Sequence, residues 1–177
     1  MYPLIRILKE AFLARNAPPL SVNDVQQSWH RCWPVDIDIW RELNNGRSLT
    51  LYDLGRVPLA MRTGLLSVLR AEGWALTMAG ASVRWRARVR MFERFQIRSR
   101  FVGYDHRFFY LEQSMWKMDG TCASQALYRA AVTDKNGLVS TDKVIAKMKI
   151  DVGQIIMPDW VQNWIASEAT RPWPPEF

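Results

Sequence analysis

Cysteine and histidine are scarce, with two of each in 177 residues. His30 and Cys32 stand close together, but no second pair completes a metal site, so no metal is expected. Two cysteines, Cys32 and Cys122, with no signal segment before them read as reduced thiols rather than a disulfide framework. Negative charge is also in short supply: 24 Lys and Arg against 17 Asp and Glu leave a formal charge of +7. That balance favours an anionic partner, whether a phosphate-bearing ligand, nucleic acid or a membrane surface, and does not choose among them. No apolar run reaches the length of a membrane span. The opening MYPLIRILKEAFLARN is interrupted by Arg6, Lys9 and Glu10 and carries no signal-peptide cleavage pattern. The expectation is a soluble, cytoplasmic protein. GxGxxG, P-loop, GxSxG and HExxH patterns are all missing, which removes the commonest signatures of dinucleotide, nucleotide, serine-hydrolase and zinc-protease chemistry.

Apolar residues make up 49% of the chain and nine tryptophans are present, enough for a sizeable core and an apolar interface. The length favours a single domain. An arm or short helix is expected over 1–25, a core over 26–133 and a helical extension over 141–177. Leu4, Leu8, Ala11 and Phe12 recur at helical spacing, so residues 3–15 predict an amphipathic helix. It would pack on its own domain or a second copy, or lie on a membrane surface as an anchor or lid. Residues 26–38 predict a first strand ending near Asp38, with Pro34 at an edge or bulge. A polar turn, Glu42 to Gly46, then opens a helical block. One helix should run to Val57 and a second from Pro58 to Glu72, since proline is tolerated in a first helical turn.

The remainder reads as strands. Ala75–Arg90 alternates, with Val83, Trp85, Ala87 and Val89 on one side and Arg84, Arg86, Arg88 and Arg90 on the other. Gln96–Asp105, Phe108–Lys117 and Thr121–Thr133 follow, joined by turns at 104–107 and 118–120, the latter an Asp-Gly hairpin signal. Residues 141–168 read as helical in parts, and TRPWPPEF as a proline-broken tail. One strand, a helical block and a run of hairpins give an α+β class with helices on one face of an antiparallel sheet.

The segment DIDIWRELNNGRSL resembles the hotdog-fold acyl-CoA thioesterases of the 4-hydroxybenzoyl-CoA thioesterase-like family. Many of them carry D-x-D-x-x-x-H-x-N-N-x-x-Y-L. Asp36, Asp38, Asn44, Asn45 and Leu49 stand at matching places, while Glu42 replaces the histidine and Ser48 the tyrosine. The resemblance spans about residues 30–133. It implies a hotdog fold, an antiparallel sheet wrapped around a central helix, in a homodimer or homotetramer with the site built between subunits. It implies an acyl-CoA thioester substrate and no cofactor.

The second Asp of the pair maps onto Asp38, the expected general base or nucleophile. The amides of Asn45 and Gly46, at a helix start, would form the oxyanion site. Asp36 is expected to be structural or solvent-facing. Glu42 is either a second acid in the site or an exposed turn residue pairing with Arg41 or Arg47, the exposed reading being preferred, and Asp53 is a reserve carboxylate. His30 and His106 have structural or exposed readings. Arg84, Arg86 and Arg88 are either a solvated sheet face or a clamp for coenzyme A phosphates. Two alternatives stand beside hydrolysis. One is a non-catalytic acyl-CoA or acyl-chain binding protein on the same fold. The other is nucleic-acid binding, disfavoured because RNP-like, helix-turn-helix and zinc-finger patterns are missing.

Overall fold

The computed structural model describes residues 2–150, 153 and 155–175. Met1, residues 151–152, 154 and 176–177, several of them in the expected C-terminal extension, lie outside the described residues. In chain order the elements are α1 (Leu4–Arg15), β1 (Gln26–Arg31), α2 (Asn45–Leu51), α3 (Asp53–Arg62) and α4 (Leu65–Glu72). Then come β2 (Ala75–Trp85), β3 (Arg94–Tyr104), β4 (Phe109–Lys117), β5 (Cys122–Asp134), β6 (Gly137–Val139), α5 (Thr141–Met148) and α6 (Asp159–Ala169). The strands are antiparallel in the order β1-β3-β4-β5-β2, with β6 added to β5. The sheet curls around α3, as the resemblance implies.

α3 is central because its own residues allow it. Leu54, Pro58 and Leu59 turn inward, and Gly55 lets the helix backbone settle onto the sheet. A Cβ at Gly55 would lie 2.4 Å from Ser99 Oγ and 2.7 Å from Ile97 Cγ2. Beneath it, Gln113 is buried on β4 and its Nε2 donates to the Tyr52 carbonyl at 2.8 Å and to Ser99 Oγ at 2.7 Å. Arg56 completes the network, donating to Gln113 Oε1 and ion-pairing with Asp53, while its guanidinium lies 4.3 Å over the Tyr128 ring. A buried amide satisfied at both ends fixes where the helix can sit.

Three apolar clusters follow from this arrangement. Leu51, Tyr52, Leu54, Phe95, Ile97 and Met115 fill the space between the helices and the inner sheet face. Leu69, Phe109, Val132, Val139 and Val144 close one end beneath α4 and α5. Val102, Tyr110, Leu127 and Val161 lie on the outer face, where α6 covers the sheet. Facing positions of β5 therefore alternate between two cores, and Leu127 and Tyr128 belong to different ones.

Several sequence boundaries move. The first strand stops at Arg31, and Pro34–Asp36 form a 3-10 turn. Pro58 lies inside α3 rather than opening a helix. The breaks fall at Tyr52, whose carbonyl is also taken by Gln113, and at Gly64, with φ of 82°. The strand expected to reach Arg90 ends at Trp85, where the amides of Arg86 and Ala87 both converge on the Ala123 carbonyl. The sheet runs past Thr133 through β6.

Gly55→Ala should lower stability by about 1–3 kcal/mol, the usual cost of overpacking a close helix–sheet contact. Urea unfolding of the two proteins measures it, with the midpoint falling and the slope unchanged.

Candidate active site

Asp36 organises the polar segment. It is buried, and Arg47 Nε donates to its Oδ1 at 2.7 Å. Its Oδ2 accepts from Arg6 at 2.8 Å and from the Trp33 amide at 2.9 Å. Burial alone would raise the carboxyl's pKa, but the Trp33 amide, Arg47 and Arg6 together hold it below the ordinary carboxylate range. This is the structural role expected of Asp36. The Asp36 carbonyl receives the Asn44 amide at 3.0 Å, which brings the chain back toward the start of α2.

Between these points, residues 37–43 form a tight hairpin. Ile37 pairs with Leu43, and the Asp38 amide donates to the Glu42 carbonyl at 2.9 Å. Asp38 closes the turn: its Oδ1 accepts from the Trp40 amide at 2.8 Å and the Glu42 amide at 3.4 Å. Arg41 occupies the left-handed region at φ 59° to complete it. The hairpin is stitched onward, with the Leu43 amide donating to the Val89 carbonyl at 2.8 Å and Glu42 pairing with Arg90.

α2 begins at Asn45 because Asn44 is its cap, with Asn44 Oδ1 accepting the Arg47 amide at 2.9 Å. Asn45 and Gly46 are the first two residues of the helix, so their amides face outward along its axis. A Cβ at Gly46 would come within 3.3 Å of Asn44 Oδ1, so glycine keeps the cap compact.

A cleft of about 610 Å³, including its open mouth, lies between this helix start, residues 85–89 and the adjoining ends of β4 and β5. Glu42, Asn45, Ser48, Arg86, Arg88 and Ser124 supply its polar lining, and Leu43, Trp85 and Met115 part of its apolar wall. Glu42 is half-buried, and Arg88 Nε lies 2.7 Å from its Oε2. The expectation of an exposed Glu42 paired with Arg41 or Arg47 is thus corrected: the hairpin turns this side chain inward, toward residues 86–88. Ser48 is buried, donating to the Asn45 carbonyl at 2.6 Å and accepting the Trp85 indole N–H at 3.0 Å. At the base, the Tyr52 hydroxyl and Ser124 Oγ are 2.8 Å apart, and burial pushes the Tyr52 phenol well above its ordinary value.

The expected site residues are therefore only partly gathered. Asn45, Arg86 and Arg88 line one cleft and Gly46 adjoins it at the helix start. Asp38 stands within the hairpin, accepting the Glu42 amide, but is not among the lining residues. Arg84 is on β2, exposed and paired across to Gln125, away from the lining. Asp53 ion-pairs with Arg56 and accepts the Tyr2 hydroxyl at 2.6 Å, outside the cleft. His30 is buried, its Nε2 lies 2.7 Å from Ser28 Oγ, and burial lowers its pKa to about 3. Ser48, Trp85 and Ser124 were not singled out as cleft residues, and Glu42 was weighed as a second acid but read as exposed. Only Glu42 and Ser48 carried a signal, as the positions where the chain departs from the motif.

Asp36→Asn should cost about 3–5 kcal/mol, because it strands two arginines against a neutral amide in a buried site. The ionised carboxylate stabilises the fold above the ordinary aspartate value of about 3.9. That contribution fades as pH falls through the lowered folded value, so the variant should lose this part of the acid dependence. Urea midpoints between pH 7 and pH 3 measure both.

A family model described as the thioesterase-like superfamily matches residues 32–176. The protein THEM6 of Xenopus laevis is 32% identical over 133 residues, covering 75% of this chain and 63% of the relative. THEM6 of Danio rerio is 30% identical over 131 residues, covering 73% and 63%. The matched region thus spans under two thirds of either relative's length. Among solved structures, the probable thioesterase YbaW of Escherichia coli aligns with a TM-score of 0.65 at 16% identity, covering 70% of this chain and 96% of that one. Slr0204 of Synechocystis, a 1,4-dihydroxy-2-naphthoyl-CoA thioesterase, aligns with a TM-score of 0.61 at 11% identity, covering 74% and 99%. At these identities the structural likeness speaks for the fold alone. With the family match over most of the chain and an antiparallel sheet curled around α3, the chain belongs to the thioesterase-like superfamily and has the hotdog fold.

Proposed function

We propose that the chain is an acyl-CoA thioesterase whose chemistry takes place in the cleft at the start of α2. The observation that carries this is the shared lining of Asn45, Glu42, Arg86 and Arg88: helix-start amides, a carboxylate and two guanidinium groups meet in one opening. The thioester carbonyl oxygen would accept from the outward amides of Asn45 and Gly46. A donor of that kind is typically worth about 3 kcal/mol to a developing oxyanion. Asp38 would be the general base, taking a proton as water attacks the carbonyl carbon, or would attack that carbon itself. With Asp38 as base, collapse of the tetrahedral species breaks the C–S bond, and the coenzyme A thiolate leaves and takes up that proton. With Asp38 as nucleophile, loss of the thiolate leaves an acyl-aspartyl anhydride that water hydrolyses to the free acid and the Asp38 carboxylate, the proton released going to the thiolate. Asp38 would act from the hairpin it shares with Glu42, turning toward the opening with Oδ2, since Oδ1 accepts from the Trp40 and Glu42 amides. Arg86 and Arg88 suit the anionic phosphates of the substrate.

In a homodimer or homotetramer, β2 offers a sheet edge on which a second copy can continue the ladder. That edge is close to the cleft, since residues 85–89 follow directly from it.

A second reading is favoured by one observation. Asp38 lies outside the cleft lining with one oxygen committed to backbone amides. On that reading the protein binds acyl-CoA or an acyl chain without hydrolysing it.

A thiol-release assay over short, medium, long and aromatic acyl-CoA esters separates the two. The wild type should hydrolyse at least one ester. Asp38→Asn should lower kcat by 10²-fold or more while the unfolding midpoint stays close to wild type. Arg86→Ala with Arg88→Ala should raise KM about tenfold with kcat little changed. Binding without thiol release by the wild type would select the second reading. Full activity in Asp38→Asn, with loss in Glu42→Gln, would move the base to Glu42.

A further inference from the structure

α1 is packed the wrong way round for a helix that serves only its own core. Its buried side is formed by Glu10 and Ala14, with Arg6 and Ile7 half-buried beside them. Glu10 is 6% exposed, 3.9 Å from the buried His30 ring and 3.3 Å from Lys9. Leu4, Ile5, Leu8, Phe12 and Leu13 all face outward instead, with Ile5 85%, Leu8 69% and Phe12 68% exposed. At 100° per residue Leu4, Leu8, Phe12 and Ile5 form one continuous outward stripe, opposite Glu10 and Ala14. A preformed helix presenting four large apolar side chains in a row is an attachment surface rather than scattered surface hydrophobes.

The charges beside the stripe indicate what covers it. Lys9 and Arg15 are exposed on the same helix, and its single acidic residue is the buried Glu10. The solvent side of α1 is therefore apolar and cationic with no exposed anion, on a protein of net charge +7. The neighbouring segment, tied to α1 by the Arg6–Asp36 ion pair, adds Ile39 at 86% and Trp40 at 73% exposure. An apolar stripe of leucine, isoleucine and phenylalanine flanked by basic side chains matches the surface of an anionic bilayer. There apolar groups enter the acyl boundary and Lys and Arg meet the headgroups. α1 has 12 residues, far short of a span, and no helix among the described residues is long and apolar enough to cross a membrane.

We infer that α1 is a membrane-surface docking helix that seats Leu4, Ile5, Leu8 and Phe12 in the interface of an anionic bilayer, with Lys9 and Arg15 on the headgroups. This is independent of the proposed hydrolysis, since the cleft is lined by other residues.

Vesicle co-sedimentation of the full chain tests it, with phosphatidylcholine vesicles compared with vesicles carrying 30% phosphatidylglycerol. The wild type should bind the anionic vesicles at least tenfold more tightly, and the preference should shrink as salt rises. The triple variant Ile5→Ser, Leu8→Ser, Phe12→Ser should lose binding more than tenfold while its circular dichroism and unfolding midpoint match wild type. Lys9→Glu with Arg15→Glu should abolish the preference for anionic vesicles. No binding by the wild type, or binding untouched by the triple variant, would overturn the inference. So would a concentration-dependent dimer in sedimentation equilibrium that the triple variant alone loses, together with unchanged vesicle binding, since α1 would then be a contact between copies of this chain.

Discussion

Asp36 is the constraint on which the arrangement of the candidate site depends. A carboxylate removed from water survives only if its oxygens are fully occupied, and here three different parts of the chain occupy them. Arg6 brings in α1, Trp33 supplies the turn before it, and Arg47 comes from the first turn of α2. The side chain is therefore a junction. It sets the distance from the N-terminal helix to the sheet and fixes where the 37–43 hairpin begins and ends. It also sets the angle at which α2 presents its start to residues 85–89. Replacing any partner with a longer or neutral group would disturb all three parts, because they meet at one carboxylate.

Much of the architecture was legible in local sequence. The hairpins announced themselves through period-two apolar patterns and through the Asp-Gly turn, and β3, β4 and β5 begin and end within two residues of expectation. The Asn44 cap and the amide-bearing start of α2 were also local chemistry. Where boundaries moved, contacts across the fold add to the local signal. Pro58 lies within α3 on its buried side, and α2 gives way to α3 at Tyr52, whose carbonyl accepts Gln113 Nε2 as well as the Arg56 amide. The alternation of 83–90 persists in burial at Val83, Ala87 and Val89, while Trp85 is 43% exposed. The ladder itself nevertheless stops at Trp85, because two successive amides converge on Ala123.

The cleft was less legible for the same reason. The pairing of Glu42 with Arg88 joins a hairpin to a post-strand segment far along the chain, and no spacing rule relates them. Local reasoning read Glu42 against its neighbours Arg41 and Arg47. It likewise counted Arg84, Arg86 and Arg88 as one row, although the end of β2 divides them and leaves only the last two on the cleft. Ser48 shows how a departure from the motif can be absorbed: its hydroxyl bridges the Asn45 carbonyl and the Trp85 indole, so the smaller side chain ties the helix start to the cleft wall.

α6 has a consequence of a different kind. By closing the outer face of the sheet over Val102, Tyr110 and Leu127, it makes β5 answer to two neighbours at once. Adjacent residues such as Leu127 and Tyr128 meet separate packing demands, one from a helix distant in sequence and one from the central helix. A polar replacement at Leu127 would face the α6 cluster and one at Tyr128 the cluster around the central helix, so a change to either residue loosens a different layer of the molecule.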